Sequence, residues 1–287
     1  MDNLGKRLFI SITPGKTFLD KLQGKIKIRL FLALILILIA TWDIRIMTPI
    51  LIISIIGLFS IKPNLRTIRG LSIFTLLMNL FNLFLIWIVT PDYGLKMVGA
   101  STVLFKFTDY FIVTAETLWY FLVRLVKFMA SFFVSLTFIQ SITPSEMAAG
   151  LYGNKVPYKI STVVSLAFRY IPEIARDFNE IKISMQARGL ELDSRKASLF
   201  TRLKQNVLIL VPLIIVSFDR VGNIADAMDL RGYGRLKTRT YYAEHEETRN
   251  DKIMKVVCIV LYLAFIAIVA DRILNPRQFQ IWAPWVK

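Results

Sequence analysis

Apolar residues in this chain gather into long runs separated by short charged turns, and the lengths of those runs set the first expectation. The run Ile28 to Trp42 is followed after a minimal turn by Ile44 to Ile61, and then by Ile68 to Thr90. A longer helical pattern extends from about Tyr110 to Ile142, and a last run covers Ile253 to Leu274. A helix rising about 1.5 Å per residue needs about 20 apolar residues to cross a hydrocarbon layer roughly 30 Å thick. The first run is short, but flanking Lys and Arg stems can snorkel to the interface. The fourth exceeds the thickness and must tilt, kink or protrude. The pattern predicts an all-α integral membrane protein with about five transmembrane helices.

Between the fourth and fifth runs the period changes. Thr143, Pro144 and Glu146 have the spacing of a capping box with proline at the first helical position. The short helix they open carries Met147 and Leu151 beside the small Ala148, Ala149 and Gly150, and Gly153-Asn154 signals a turn. A second helix is predicted from Pro157 to Arg188. Its apolar positions Ile160, Val164, Ala167, Ile171, Ile174, Phe178, Ile181 and Met185 step by four and three down one face. Arg169, Glu173, Arg176, Asp177, Glu180 and Lys182 are expected on the wet opposite face, and Pro172 should bend the helix. A third helix, from about Ser194, repeats the steps at Leu203, Val207, Leu210, Ile214, Ser217, Val221, Ile224 and Met228. The next step of each series lands on an arginine, Arg188 and Arg231, and a glycine follows each: Gly189 and Gly232. Three regions result: 1–142 with the N-terminal arm and four spans, 143–251 with long amphipathic helices, and 252–287 with the last span and tail.

Composition supports the membrane assignment, since 55% of the 287 residues are hydrophobic. The formal net charge of +16 could suggest nucleic acid, but much of it flanks the apolar runs, where topology predicts it. Lys6, Arg7, Lys16, Lys21, Lys25, Lys27 and Arg29 face only Asp2 and Asp20 in the N-terminal arm. The second loop holds Lys62, Arg66 and Arg69 without an acid, whereas the other loops are near balance. That alternation places the N-terminus and residues 143–251 in the cytoplasm of a multi-pass plasma-membrane protein. Arg272, Arg277 and Lys287 argue mildly against the outside C-terminus this implies. The first run is read as a retained span because no small-residue cleavage site follows it. The segment Val207 to Phe218 suits an interfacial helix, with a tilted span from Asn206 to Asn223 as the competing reading.

Candidate chemistry is sparse. One cysteine, Cys258, excludes a disulfide within the chain, and the single His245 sits in a charged loop where a metal site is not expected. Thr13 to Thr17, "TPGKT", lacks the leading glycine of a nucleotide loop, so any ATP must be bound by another chain. Glu116, Arg124 and Lys127 fall inside the fourth run, where a structural pairing role competes with a transport pathway. No nucleophile–base pair or metal spacing points to an enzyme.

The two arginine tips carry the most specific signal. One C-terminal arginine beside a glycine is ordinary helix termination; two, each continuing a long seam, are not. The chain here resembles the T component of energy-coupling factor transporters, a family with two Ala-Arg-Gly motifs at the ends of cytoplasmic coupling helices. The first motif matches as Ala187, Arg188 and Gly189; the second reads Leu230, Arg231 and Gly232, departing at the alanine. "FRYIPEIARDF" before the first motif and "PGKTFLDKL" near the N-terminus are also similar.

The resemblance implies a non-catalytic membrane subunit of an ATP-driven importer of vitamins or other micronutrients. Two ATPase subunits, holding ATP and Mg, would dock on the tips. A small substrate-binding membrane protein, the S component, would lie on apolar faces, with Met147, Leu151, Ile171, Ile174, Phe178, Leu210 and Ile214 as its candidate contacts. No cofactor is expected on this chain. The alternative is a stand-alone secondary transporter or channel, although no repeated halves are found.

Overall fold

A computed structural model describes residues 17–61, 63–91, 93–99, 102–106, 112–189, 199–236, 240–241, 246–274 and 281–284. Their elements in chain order are α1 (Gly24–Ala40), α2 (Ile44–Ser60), α3 (Leu65–Val89), α4 (Tyr93–Val98), β1 (Val103–Lys106), β2 (Ile112–Thr114), α5 (Ala115–Ser141), α6 (Pro144–Gly153), α7 (Tyr158–Ala187), α8 (Leu199–Leu230) and α9 (Arg249–Leu274). The protein is an all-α membrane protein, and among the described residues two short strands form one antiparallel pair. Residues Lys155–Ala243 make one compact unit; Asp2–Asn154 with Glu244–Lys287 make the other.

The larger unit is built around α5. Tyr120, Val123, Ala130 and Val134 of α5 pack with Ile37 and Leu38 of α1, Met47 and Ile50 of α2, and Val98 of α4. Ile281 and Ala283 close the same core from the tail. Phe31 stacks on Phe138 at 4.3 Å between ring centroids, and the Thr137 hydroxyl donates to the Ser54 carbonyl at 3.0 Å. Among the described residues four helical segments are long and apolar enough to cross a membrane: Leu65–Val89, Ala115–Ser141, Val207–Leu230 and Arg249–Leu274. The first two expected spans form helices of 17 residues each, α1 and α2, at the short end of the spanning range.

Helix ends follow local chemistry. Asp43 and Asn64 cap α2 and α3, accepting from Arg45 N–H and Arg66 N–H. Thr143 and Glu146 form the expected reciprocal capping box of α6. Among the described residues the fourth run becomes helical at Ala115. Before it, Ile112–Thr114 pairs with Val103–Lys106, and the Thr114 side chain caps α5, accepting from Thr117 N–H. β-branched residues favour that extended entry.

Residues 143–154, grouped by sequence pattern with the polar region, pack in the larger unit. Gly24 and Gly150 let α1 and α6 meet backbone to backbone: a Cβ on Gly24 would lie 2.1 Å from the Glu146 carbonyl oxygen. A buried polar joint surrounds that contact. The Lys27 ammonium donates to the Asp20 carbonyl at 2.8 Å, the Ser141 carbonyl at 2.7 Å and the Glu146 carboxylate at 3.0 Å. The fully buried Asp251 accepts from Gln23 N–H at 2.9 Å and from the Thr248 N–H and hydroxyl, tying the start of α9 to the start of α1. Nearby, the Lys25 hydrogen bond holds the Glu247 carboxyl below its ordinary range.

Candidate functional site

The smaller unit is a pair of long helices, each ending in an Arg-Gly tip. Arg188 is the C-cap of α7, its N–H donating to the Ser184 and Met185 carbonyls at 3.2 and 3.1 Å. Gly189 follows with φ +92° and donates to the Gln186 carbonyl at 3.0 Å. The α8 end repeats this: Gly232 has φ +68° and donates to the Asp229 carbonyl at 2.9 Å. Tyr233 N–H reaches back to the Met228 carbonyl at 2.9 Å, completing a Schellman turn. Positive φ is costly for residues with a Cβ, which is why glycine stands at both stops. Both arginines are exposed. Leu230, at the place of the second motif's alanine, is 90% exposed, so its bulk meets no packing constraint within the described residues.

The helices are held together by charge. The Arg220 guanidinium donates through Nη2 to the Asp177 carboxylate at 2.6 Å, and its Nε lies 3.7 Å from Glu173 Oε1. This corrects the expected wet face, because Glu173 and Asp177 turn toward α8. At 100° per residue the seam through Ile171, Ile174 and Phe178 lies roughly a third of a turn away from that direction. Much of it is uncovered, Ile171 being 46% and Ile174 38% exposed, while Phe178 is half-buried.

The seam of α8 is corrected likewise. Val207, Leu210, Ile214 and Val221 are exposed, whereas Ile209 and Leu213 are buried and Ser217, Arg220, Ile224 and Met228 half-buried. That observed stripe still leads to Arg231. Tyr158 at the start of α7 packs edge-on against Tyr233 just beyond the second tip, with centroids 5.7 Å apart. Tyr241 contacts both the Tyr158 carbonyl and the Thr162 hydroxyl at 3.4 Å.

Met147 and Leu151 are half-buried on α6 of the other unit. The intramembrane charges all have protein partners. Glu116 is fully buried and accepts from the Thr102 N–H and hydroxyl. Arg124 donates to the Tyr120 hydroxyl at 2.5 Å and to Asn82 at 3.1 Å. Lys127 donates to the Thr41 carbonyl at 3.1 Å and stands 4.0 Å from the centroid of the Trp42 ring. Among the described residues no group of three His, Cys, Asp or Glu side chains could hold a metal ion. His245, residues 13–16 and the expected helix start near Ser194 lie outside the described residues, as does the side chain of Leu203.

A family model described as cobalt transport protein, CbiQ, matches residues 15–242, a stretch that contains both tips. The chain belongs to this family. Relatives named energy-coupling factor transporter transmembrane protein EcfT match over differing extents. The protein of Bacillus selenitireducens is 25% identical over 274 residues, 91% of this chain and 96% of its own. That of Macrococcus caseolyticus is 25% identical over 282 residues, 91% of this chain and 99% of its own. The Limosilactobacillus fermentum protein is 34% identical over 155 residues, 51% of this chain and 57% of its own. The resemblance to energy-coupling factor T components therefore extends over most of the chain, and with the apolar helices it makes this CbiQ-family chain a multi-pass membrane transport component.

Proposed function

We propose that this chain is the coupling subunit of an ATP-driven importer of vitamins or other micronutrients. Two ATPase subunits, which hold the ATP and Mg, dock on Ala187-Arg188-Gly189 and Leu230-Arg231-Gly232. A small substrate-binding membrane protein lies on apolar positions that include Met147, Leu151, Ile171, Ile174, Phe178, Leu210 and Ile214. The observation that carries this reading is the repeated tip: two long helices end in the same exposed arginine, each followed by a glycine at positive φ. An arginine fork suits a bidentate carboxylate contact on a partner. The names of the relatives support the same reading. Closure of the ATPases would displace the tips, and the stiff helices would carry that motion to the apolar faces. Catalysis belongs to the ATPases, and this chain is not an enzyme.

The N-terminus and residues 143–251 are cytoplasmic in this reading, from the excess of Lys and Arg in the N-terminal arm and second loop. Val207–Leu230 is also long and apolar enough to cross a membrane. Crossing would put Arg188 and Arg231 on opposite sides, so single-cysteine labelling at Gln186 and Asp229 from each side of the membrane decides between the two arrangements. Purification from the native membrane should bring down two ATPases with this chain. Arg188→Glu and Arg231→Glu should each weaken that association roughly 30-fold, the equivalent of about 2 kcal/mol. Assembly and uptake at the wild-type level in the double variant would refute docking at the tips.

A further inference from the structure

The contact between α7 and α8 stands in a particular relation to the tips. Asp177 precedes Arg188 by eleven residues (188 − 177), and Arg220 precedes Arg231 by eleven residues (231 − 220). Eleven residues make about three turns and about 16 Å of helix, with a residual rotation of only about 20°. Each tip arginine therefore shares a face with the pairing residue of its own helix, at the same distance from it. Arg220 also spans two successive turns of α7, with Asp177 on one nitrogen and Glu173 near another. A fork held by carboxylates four residues apart restricts both sliding along α7 and rotation about it. The Arg220 and Asp177 side chains are 23% and 19% exposed, shielded enough to hold one geometry better than a free surface pair.

We propose that the Arg220–Asp177/Glu173 cluster is the pin of an equal-armed pair of levers, fixing the separation of Arg188 and Arg231 so that the two tips move as one. This rests on the coupling reading given above, in which the tips receive the ATPase motion. A change of about 10° in the crossing would shift one tip by about 3 Å relative to the other helix, enough to misplace an arginine fork by a hydrogen-bond length. Arg220 is a positioning residue: it sets where the docking arginines stand.

The test uses the full chain with spin labels at Gln186→Cys and Asp226→Cys in a Cys258→Ala background, reconstituted in lipid nanodiscs. The wild-type pin should give a narrow distance distribution between the labels, and Arg220→Glu should at least double its width. Arg220→Glu combined with Asp177→Arg should narrow it again, because the ion pair is rebuilt with reversed sign. In the assembled transporter, Arg220→Glu should lower uptake per ATP hydrolysed by about tenfold while ATP hydrolysis stays within about twofold, and the swap should recover most of the loss. A role confined to stability would instead lower yield, hydrolysis and uptake together. Arg220→Gln, which keeps the shape without the charge, serves wherever Arg220→Glu reduces the yield. A distance distribution and transport ratio unchanged by Arg220→Gln or Arg220→Glu would overturn the pin. Failure of the wild-type chain to bring down an ATPase would instead refute the coupling reading, and the distance measurement would still report on the pin by itself.

Discussion

Replacing Gly24 by alanine tests the close crossing of α1 and α6. The added methyl carbon would sit 2.1 Å from the Glu146 carbonyl oxygen and 2.9 Å from its carbonyl carbon, both backbone atoms that cannot rotate aside. The helices must separate by roughly 1 Å to restore ordinary contact near 3.4 Å. Overpacking of this kind costs about 1–3 kcal/mol, partly offset by the gain of up to about 1 kcal/mol from alanine over glycine in a helix. The joint then loses more, because separation stretches the 3.0 Å Lys27–Glu146 contact in the same layer. A net destabilisation of about 2 kcal/mol is expected, read as a fall of several degrees in the thermal midpoint of the detergent-solubilised chain. Gly70→Ala is the control: it is also in a helix, and no atom within 4 Å awaits its Cβ, so its midpoint should hold or rise. A Gly24→Ala midpoint equal to or above that of Gly70→Ala would refute the backbone-contact argument.

Two further outcomes are expected. Lys27→Met leaves the Glu146 carboxylate and two carbonyls without their cation in a side-chain environment only 3% exposed at the lysine, a loss of about 3–5 kcal/mol. Thermal unfolding should show it, and adding Glu146→Gln should recover part; a melting curve like the wild type's would contradict the buried joint. Gly232→Ala should strain the φ +68° stop by about 1–2 kcal/mol and speed amide exchange at Gly232 and Tyr233, with Gly232→Asn milder. Unchanged protection at both amides would show that the stop does not depend on glycine.

Features set by neighbours in the chain were legible in the sequence. Thr143 and Glu146 are three residues apart, so their capping box needed no tertiary knowledge, and Gly189 and Gly232 announced their helix stops in the same way. The apolar pattern starts the fourth span near Tyr110, because apolar composition does not separate a strand from a helix over a few residues. Pairing of Ile112–Thr114 with Val103–Lys106 decided it. The seams of α7 and α8 exposed a different limit. Periodicity finds an apolar stripe but does not say what covers it, and in this chain Ile171, Ile174, Leu210 and Ile214 are left largely uncovered while Glu173 and Asp177 meet Arg220. That pairing joins residues more than forty positions apart, and no local spacing encodes it. The smallness of Ala148, Ala149 and Gly150 is plain in the sequence, but only the approach of Gly24 shows why small residues stand there.

The three-turn spacing between pin and tip constrains how the length of these helices can change. Inserting or deleting one residue in the interval 178–187 or 221–230 would swing the arginine about 100° around its axis while barely altering its reach. Adding seven or eleven residues would keep its heading within about 20° but lengthen one arm without the other. The two intervals therefore tolerate substitution far more readily than a change in length, and matched additions to both arms are the design route to a longer lever with the same aim.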